Sequence, residues 1–88
     1  MAKLGPEERE AQDALRARVA ERIRELAKRR GIPISHLADR SKVSRAHLWA
    51  VLGGRRAPTT DVLARLALVL QVDPHQLIRP PRKPKAPK

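Results

Sequence analysis

The 88-residue chain has no cysteine, tyrosine or phenylalanine, and Trp49 is its only aromatic residue. The missing cysteines exclude a disulfide framework and thiolate zinc sites. With one aromatic side chain, a small core must be filled by Leu, Val, Ile and Ala, which suits packed short helices better than a sheet. The three histidines, His36, His47 and His75, are scattered without carboxylate partners at ligand spacing, so no metal site is expected. No apolar run approaches the roughly 18 residues that cross a bilayer. The opening MAKLGPEERE lacks the apolar segment of a secretory signal, which predicts a cytoplasmic protein without a membrane partner. A nucleophile–base pair and a phosphate loop are also lacking. Gly53-Gly54 precedes arginines but has no Walker spacing. Neither enzyme activity nor a cofactor is expected.

Acidic residues are scarce in one place. The formal net charge is +11, from 20 Lys and Arg against nine Asp and Glu. Six of those acids, Glu7, Glu8, Glu10, Asp13, Glu21 and Glu25, lie in the first 25 residues. Between Arg40 and Thr60 there is none, whereas Arg40, Lys42, Arg45, Arg55 and Arg56 are present. A gap in acids that coincides with clustered cations favours a polyanionic partner over a merely solvated basic face.

Start and stop signals divide the chain into helices. Pro6 at a first helical position, followed by Glu7 and Glu8, opens a helix. Leu15, Val19, Ile23 and Leu26 recur on one face, and Lys28-Arg29-Arg30-Gly31 closes it with a left-handed cap. Its first nine residues are almost wholly polar or alanine and should project from the domain or meet a partner. Pro33 sets the entry to a second helix, about 34–40, and Ser44 caps a third, about 45–52. After Gly53-Gly54 and Pro58, Thr59 or Thr60 caps a fourth helix. Apolar residues surround much of its girth, so it should be the central buried one. Asp73-Pro74-His75-Gln76 reads as a capping box for a short fifth helix with Leu77 and Ile78. RPPRKPKAPK, residues 79–88, cannot build a core and is expected to be a disordered basic tail. The expected division is a polar extension at 1–17, a domain at 18–78 and the tail at 79–88.

The stretch Ile34 to Gly54 carries Leu37, Ala38, Val43, Leu48 and Val51, interrupted only at Ser41-Lys42. Two short helices across so brief a break must cross steeply, which is the helix-turn-helix shape. With Ile23 and Leu26 before it, Gly54-Arg55-Arg56-x-Pro58 after it, and then Leu63, Ala67, Leu70 and Val72, the ordered set resembles the lambda-repressor/Cro family, the XRE-type helix-turn-helix. The resemblance spans Arg22 to Ile78. It implies an all-α, five-helix fold, here with an extended first helix. Three positions depart from the family pattern. Ile34 stands where a Gln is usual, Lys42 where a Gly sits in the turn, and Pro33 where a Ser precedes the second helix. A non-glycine residue in the left-handed turn costs about 1 kcal/mol.

Leu48, Val51 and Leu52 mark the inward side of the third helix, and Arg45, Ala46, Trp49 and Ala50 the outward side. The resemblance implies that Arg45, Ala46 and Ala50 face base edges in a DNA major groove. Arg45 has the fork that matches guanine O6 and N7. Trp49 has three readings: DNA contact, core edge or protein contact. Phosphate contacts are expected from Lys42, Ser44, Arg55 and Arg56, with His47 and Arg40 as lesser candidates. Arg79, Arg82, Lys83, Lys85 and Lys88 of the tail are further possible contacts. The resemblance implies a sequence-specific regulator of transcription, a repressor or activator, acting on double-stranded DNA. One helix reads few base pairs, so a homodimer is expected, paired through Leu77-Ile78 or the first helix. Two other functions fit the sequence: a protein-interaction module, such as an antitoxin, using the Trp49 surface, and a low-specificity architectural DNA binder.

Overall fold

The computed structural model describes residues 5–80. Four α-helices follow one another: α1 (Pro6–Arg30), α2 (Ile34–Ser41), α3 (Arg45–Leu52) and α4 (Thr60–Leu70). Where the sequence predicts a fifth α-helix, there is one 3₁₀ turn, Pro74–Leu77. Each element contributes a fully enclosed side chain to one core: Ile23, Leu37, Leu48, Val51, Leu66, Leu70 and Leu77. Pro6, Gly31 and Ser44 bound their helices as the sequence predicts, and of the two threonines it is Thr59 that caps α4.

All four helices end in the same way. Gly31, Lys42, Gly54 and Gln71 have φ of 67°, 60°, 76° and 59°, and they are the positive-φ residues among those described. At each, two backbone hydrogen bonds fold the chain back over the last turn. At α1, Ile32 N–H donates to Ala27 O at 2.9 Å and Gly31 N–H to Lys28 O at 3.0 Å. Val43, Arg55 and Val72 repeat the first of these bonds onto Ala38, Ala50 and Ala67. This is the Schellman arrangement, which satisfies carbonyls that a helix end would otherwise leave open. The residue after each left-handed position is apolar at three ends: Ile32, Val43 and Val72 all pack on the core.

Lys42 and Gln71 occupy this conformation without glycine's freedom. Both are held by arginines from elsewhere. Arg65 of α4 donates to Lys42 O at 3.4 Å. Arg30 of α1 donates to Gln71 Oε1 at 3.0 Å and to Gln71 O at 3.3 Å.

The 3₁₀ turn is fastened to α1 by a buried arginine. Arg22 Nε donates to Gln76 O at 2.7 Å, Nη2 to Gln76 Oε1 at 3.1 Å and Nη1 to Glu25 Oε1 at 2.6 Å. Its side chain is 4% exposed. This also corrects the expected capping box. Asp73 Oδ1 accepts from His75 N–H at 2.9 Å, as an N-cap should. The Gln76 side chain, however, is drawn to Arg22 and Arg79 instead of back to Asp73.

α4 also differs from expectation. It buries Leu66, Ala67 and Leu70, but Leu68 is 80% exposed and Val62, Leu63 and Val69 are only half-buried. The apolar girth exceeds the surface that α1, α2 and the 3₁₀ turn can cover. α1 is buried only from Val19 onward, and Pro6–Leu15 stands exposed.

Two outcomes follow for stability. Arg22→Ala should cost about 3 kcal/mol, because charged hydrogen bonds to Gln76 and Glu25 are lost together; an unshifted urea midpoint would contradict the clamp. Lys42→Gly should gain up to about 1 kcal/mol by removing left-handed strain. Gln71→Gly should gain less, since it also gives up the Arg30 bond to its side chain. Chemical denaturation of the two variants checks this order.

Candidate nucleic-acid interface

The interface is built on α3, which is short and divided between two environments. Leu48, Val51 and Leu52 are buried, which fixes the helix's rotation. Arg45, Ala46 and Trp49 are then exposed and Ala50 is half-exposed. Trp49 is 46% exposed, so it is not a core residue despite being the only aromatic. Ser44 starts the helix: its Oγ accepts from His47 N–H at 3.0 Å, leaving its hydroxyl proton free to donate outward.

The turn between α2 and α3 is Lys42-Val43-Ser44. Val43 is buried while Lys42 and Ser44 are exposed, so the turn is pinned at its middle. Ser41 is buried and donates to Leu37 O at 2.6 Å, which satisfies its hydroxyl inside α2. Pro33 precedes α2 without a side-chain cap, as the sequence implied. Ile34 is half-buried and packs on the core. At the far end of α3, Gly54 supplies the left-handed residue that lets the chain leave the helix at once. Arg55 and Arg56 follow directly, both exposed, with their N–H groups on Ala50 O at 2.9 and 3.3 Å. The Arg55 guanidinium lies across Gly53, where a Cβ would press on its Nη1. Lys42 and Ser44 thus stand at one end of α3 and Arg55 at the other, while Arg56 leaves the far end and its side chain reaches the depression shared by Ser44, Ala46 and His47.

His47 is half-buried, and its Nε2 is enclosed without a hydrogen-bond partner. Ser44, Ala46, His47 and Arg56 line a shallow depression beside the start of α3. Arg40 is exposed and lines a second one with Lys42, Arg65 and Leu68. Arg79 belongs to neither. It donates to Gln76 Oε1 at 3.2 Å in a cleft lined by Arg22, Glu25, Arg29 and Gln71. Arg82, Lys83, Lys85 and Lys88 lie outside the described residues.

Sequence reasoning missed Asp39. The acid-free window begins one residue after it, yet Asp39 faces the first residue of α3. Arg45 Nε donates to Asp39 Oδ1 at 3.1 Å and Nη2 to Oδ2 at 2.8 Å. The pair crosses the turn and is solvent-exposed, at 61% for Arg45 and 55% for Asp39. The Arg45 hydrogen bond, then its charge and that of His36, holds the Asp39 carboxyl below its ordinary range despite an opposing desolvation. The same hydrogen bond and charge push the Arg45 guanidinium up. A spacing of six residues across a turn matches no helical period, so periodicity gives no signal for it. An acid at the end of one helix and an arginine opening the next is the only sequence trace.

No helix among the described residues is long and apolar enough to cross a membrane. Among the same residues no cluster of three or more His, Asp or Glu is placed to hold a metal ion.

The Helix-turn-helix domain family profile matches residues 18–78. Three solved structures are similar to the chain. The restriction-modification controller protein C.AhdI from Aeromonas hydrophila is 28% identical with a TM-score of 0.69, over 73% of this chain and 97% of that one. The hypothetical transcription factor NHTF from Neisseria is 26% identical with a TM-score of 0.74, over 92% of this chain and 87% of that one. An HTH_3 family transcriptional regulator from Vibrio cholerae, 24% identical with a TM-score of 0.70, shares the fold over 75% of this chain and 37% of its own. No curated protein matches the chain.

The pairing makes the acid side of the stability profile readable. A carboxyl whose folded pKa is lowered stabilises the fold fully above its unfolded value, about 3.9 for Asp, and loses that contribution as pH falls through the folded value. Asp39 should therefore titrate below about 3.9 by NMR, and Arg45→Ala should return it to the ordinary range. An unchanged midpoint in that variant would show that Arg45 is not the cause.

Proposed function

The chain belongs to the lambda-repressor/Cro-like (XRE-type) branch of the helix-turn-helix family, and on that premise we propose that it is a sequence-specific, double-stranded-DNA-binding transcriptional regulator. It works in the cytoplasm and reads the major groove with residues 45–52 as a homodimer. The observation that carries this reading is the division of α3. A buried side fixes its rotation, and an outward side presents Arg45, Ala46, Trp49 and Ala50 between exposed cations at both ends. Arg45 donates to a guanine edge. Ala46 and Ala50 permit close approach and meet thymine methyls, and Trp49 packs on a sugar or methyl. Lys42, Ser44, Arg55 and Arg56 hold phosphates and set the register without reading sequence. Arg82, Lys83, Lys85 and Lys88 extend this contact along the backbone. The similar proteins carry compatible descriptions, a restriction-modification controller and a hypothetical transcription factor.

One eight-residue helix covers only a few base pairs, so two copies are needed to specify a site. Leu77 is buried and serves the core, which leaves Ile78, 43% exposed, and Leu15, 46% exposed, for pairing. They flank a mainly apolar groove with Val19, Pro58 and Leu63, and a second copy of the chain is its proposed occupant.

A second reading has one specific observation behind it. Trp49 is a large exposed aromatic between the small Ala46 and Ala50, which also suits a protein partner.

Selection of bound sequences from random duplexes, followed by salt titration on the selected and a scrambled duplex, tests the proposal. The selected duplex should bind about 10³-fold or more tightly. It should contain two half-sites related by a dyad and about one helical turn apart. Arg45→Ala should relax one base position by about tenfold. Arg55→Ala should weaken both duplexes alike and reduce the salt slope by about one. Equal affinity for both duplexes at every salt concentration would sink the regulator reading, and binding restricted to protein partners would favour the second.

A further inference from the structure

The ion pair that faces the candidate reading surface has an unusual economy. Arg45 is the one cation among the four outward residues of α3, and its charge is already matched by Asp39 from α2. For affinity alone this is a loss, since a carboxylate beside a groove repels phosphates and cancels an arginine. The geometry of the fork shows what is gained. Asp39 takes one edge of the guanidinium, Nε and Nη2. The other edge, made by Nη1 and the second proton of Nη2, has no hydrogen-bond partner among the described residues. A guanidinium has five N–H donors in one plane, so a bidentate bond on the first edge leaves a second bidentate bond possible on the other. Guanine O6 and N7 accept such a bond.

We propose that Asp39 is a specificity-determining positioning residue: it holds Arg45 in one orientation, with its free edge directed outward, and prevents it from taking phosphates when the facing base is not guanine. The role rests on the DNA-binding reading above and refines it. Two consequences follow. The side chain is ordered before binding, so reading the correct base loses less rotamer entropy. On other sequences Arg45 stays paired with Asp39, releases no counterion and adds nothing to non-specific affinity. Asp39 then lowers overall attraction to DNA while raising the ratio between the right and the wrong sequence, as opposition to competitors does elsewhere.

The surroundings support a positioning role over a structural one. Both side chains are more than half exposed, so the pair is not needed to fill the core. Asp39 meets the fold through its backbone, where its carbonyl accepts the N–H of Lys42 at 3.3 Å, a bond that any side chain retains.

The test uses the full chain, the selected duplex and a scrambled duplex of equal composition. Asp39→Ala and Asp39→Asn are each measured alone and in the Arg45→Ala background, with cooperative melting checked for all. Asp39→Ala should tighten the scrambled duplex about threefold to tenfold and steepen its salt slope by about one, as one freed cation would. The ratio between duplexes should fall by about tenfold, with the loss at the base position that Arg45→Ala also relaxes. Asp39→Asn, which keeps the shape without the charge, should lie between. In the Arg45→Ala background, both substitutions should leave the ratio unchanged, whereas a merely structural role of Asp39 would lower it there too. A single Asp39→Ala variant with an unaltered ratio, or an equal loss in the Arg45→Ala background, overturns the positioning role while leaving the regulator intact. Wild-type protein that binds the two duplexes alike overturns the regulator reading and the positioning role with it.

Discussion

The way in which each helix is made to stop constrains the whole molecule. Gly31, Lys42, Gly54 and Gln71 turn the chain through the left-handed region, and the backbone bonds at each reuse carbonyls of the last helical turn. Reversal is therefore immediate, and the next residue is directed back over the helix it has left. Three times that residue is apolar and joins the core, as Ile32, Val43 and Val72. The fourth time it is Arg55, which is exposed. The same local device thus closes the core at three ends and sets an exposed cation just past the end of α3 at the fourth.

Arginine is used for two purposes that composition does not separate. Arg22, Arg30 and Arg65 donate to main-chain carbonyls of Gln76, Gln71 and Lys42, each bridging elements far apart in sequence. A planar fork with several donors suits this task, since it can satisfy a carbonyl and a side chain together. Arg30 and Arg65 brace the two left-handed turns that lack glycine, and Arg22 fastens the 3₁₀ turn to α1. Arg40, Arg55 and Arg56 are exposed and have no such duty among the described hydrogen bonds. The net charge of +11 accordingly overstates how much cationic surface is free to meet an anion.

Most of the fold was legible because its boundaries are local events. Pro6, Gly31, Ser44 and Thr59 act within one turn of their own positions, and the apolar spacing of Ile23, Leu26, Leu37, Leu48 and Val51 follows the helical period. The misreadings have a different origin. The apolar girth of α4 looks like that of a fully buried helix, and only the limited area of the neighbouring elements leaves Leu68 exposed. The expected fifth α-helix is a single 3₁₀ turn in which Gln76 answers Arg22, 54 residues away. At the candidate interface, the outward residues of α3 follow from helical rotation alone. The Asp39 partner of Arg45 does not, because it depends on how two helices meet across a turn.

That partner bears on which kind of DNA binder the chain can be. An architectural protein draws its affinity from phosphate neutralisation, and each exposed cation adds to it with little regard for sequence. A carboxylate that occupies the arginine at the start of α3 works against such binding. The small side chains Ala46 and Ala50 add no charge either, so in the proposed reading phosphate attraction would fall to the flanking cations Lys42, Arg55 and Arg56. A face that is weakly charged at its centre and cationic at its margins is poorly suited to bulk attraction. It is suited to being held by the backbone at its edges while its centre is tested against base edges, and this arrangement favours discrimination over affinity.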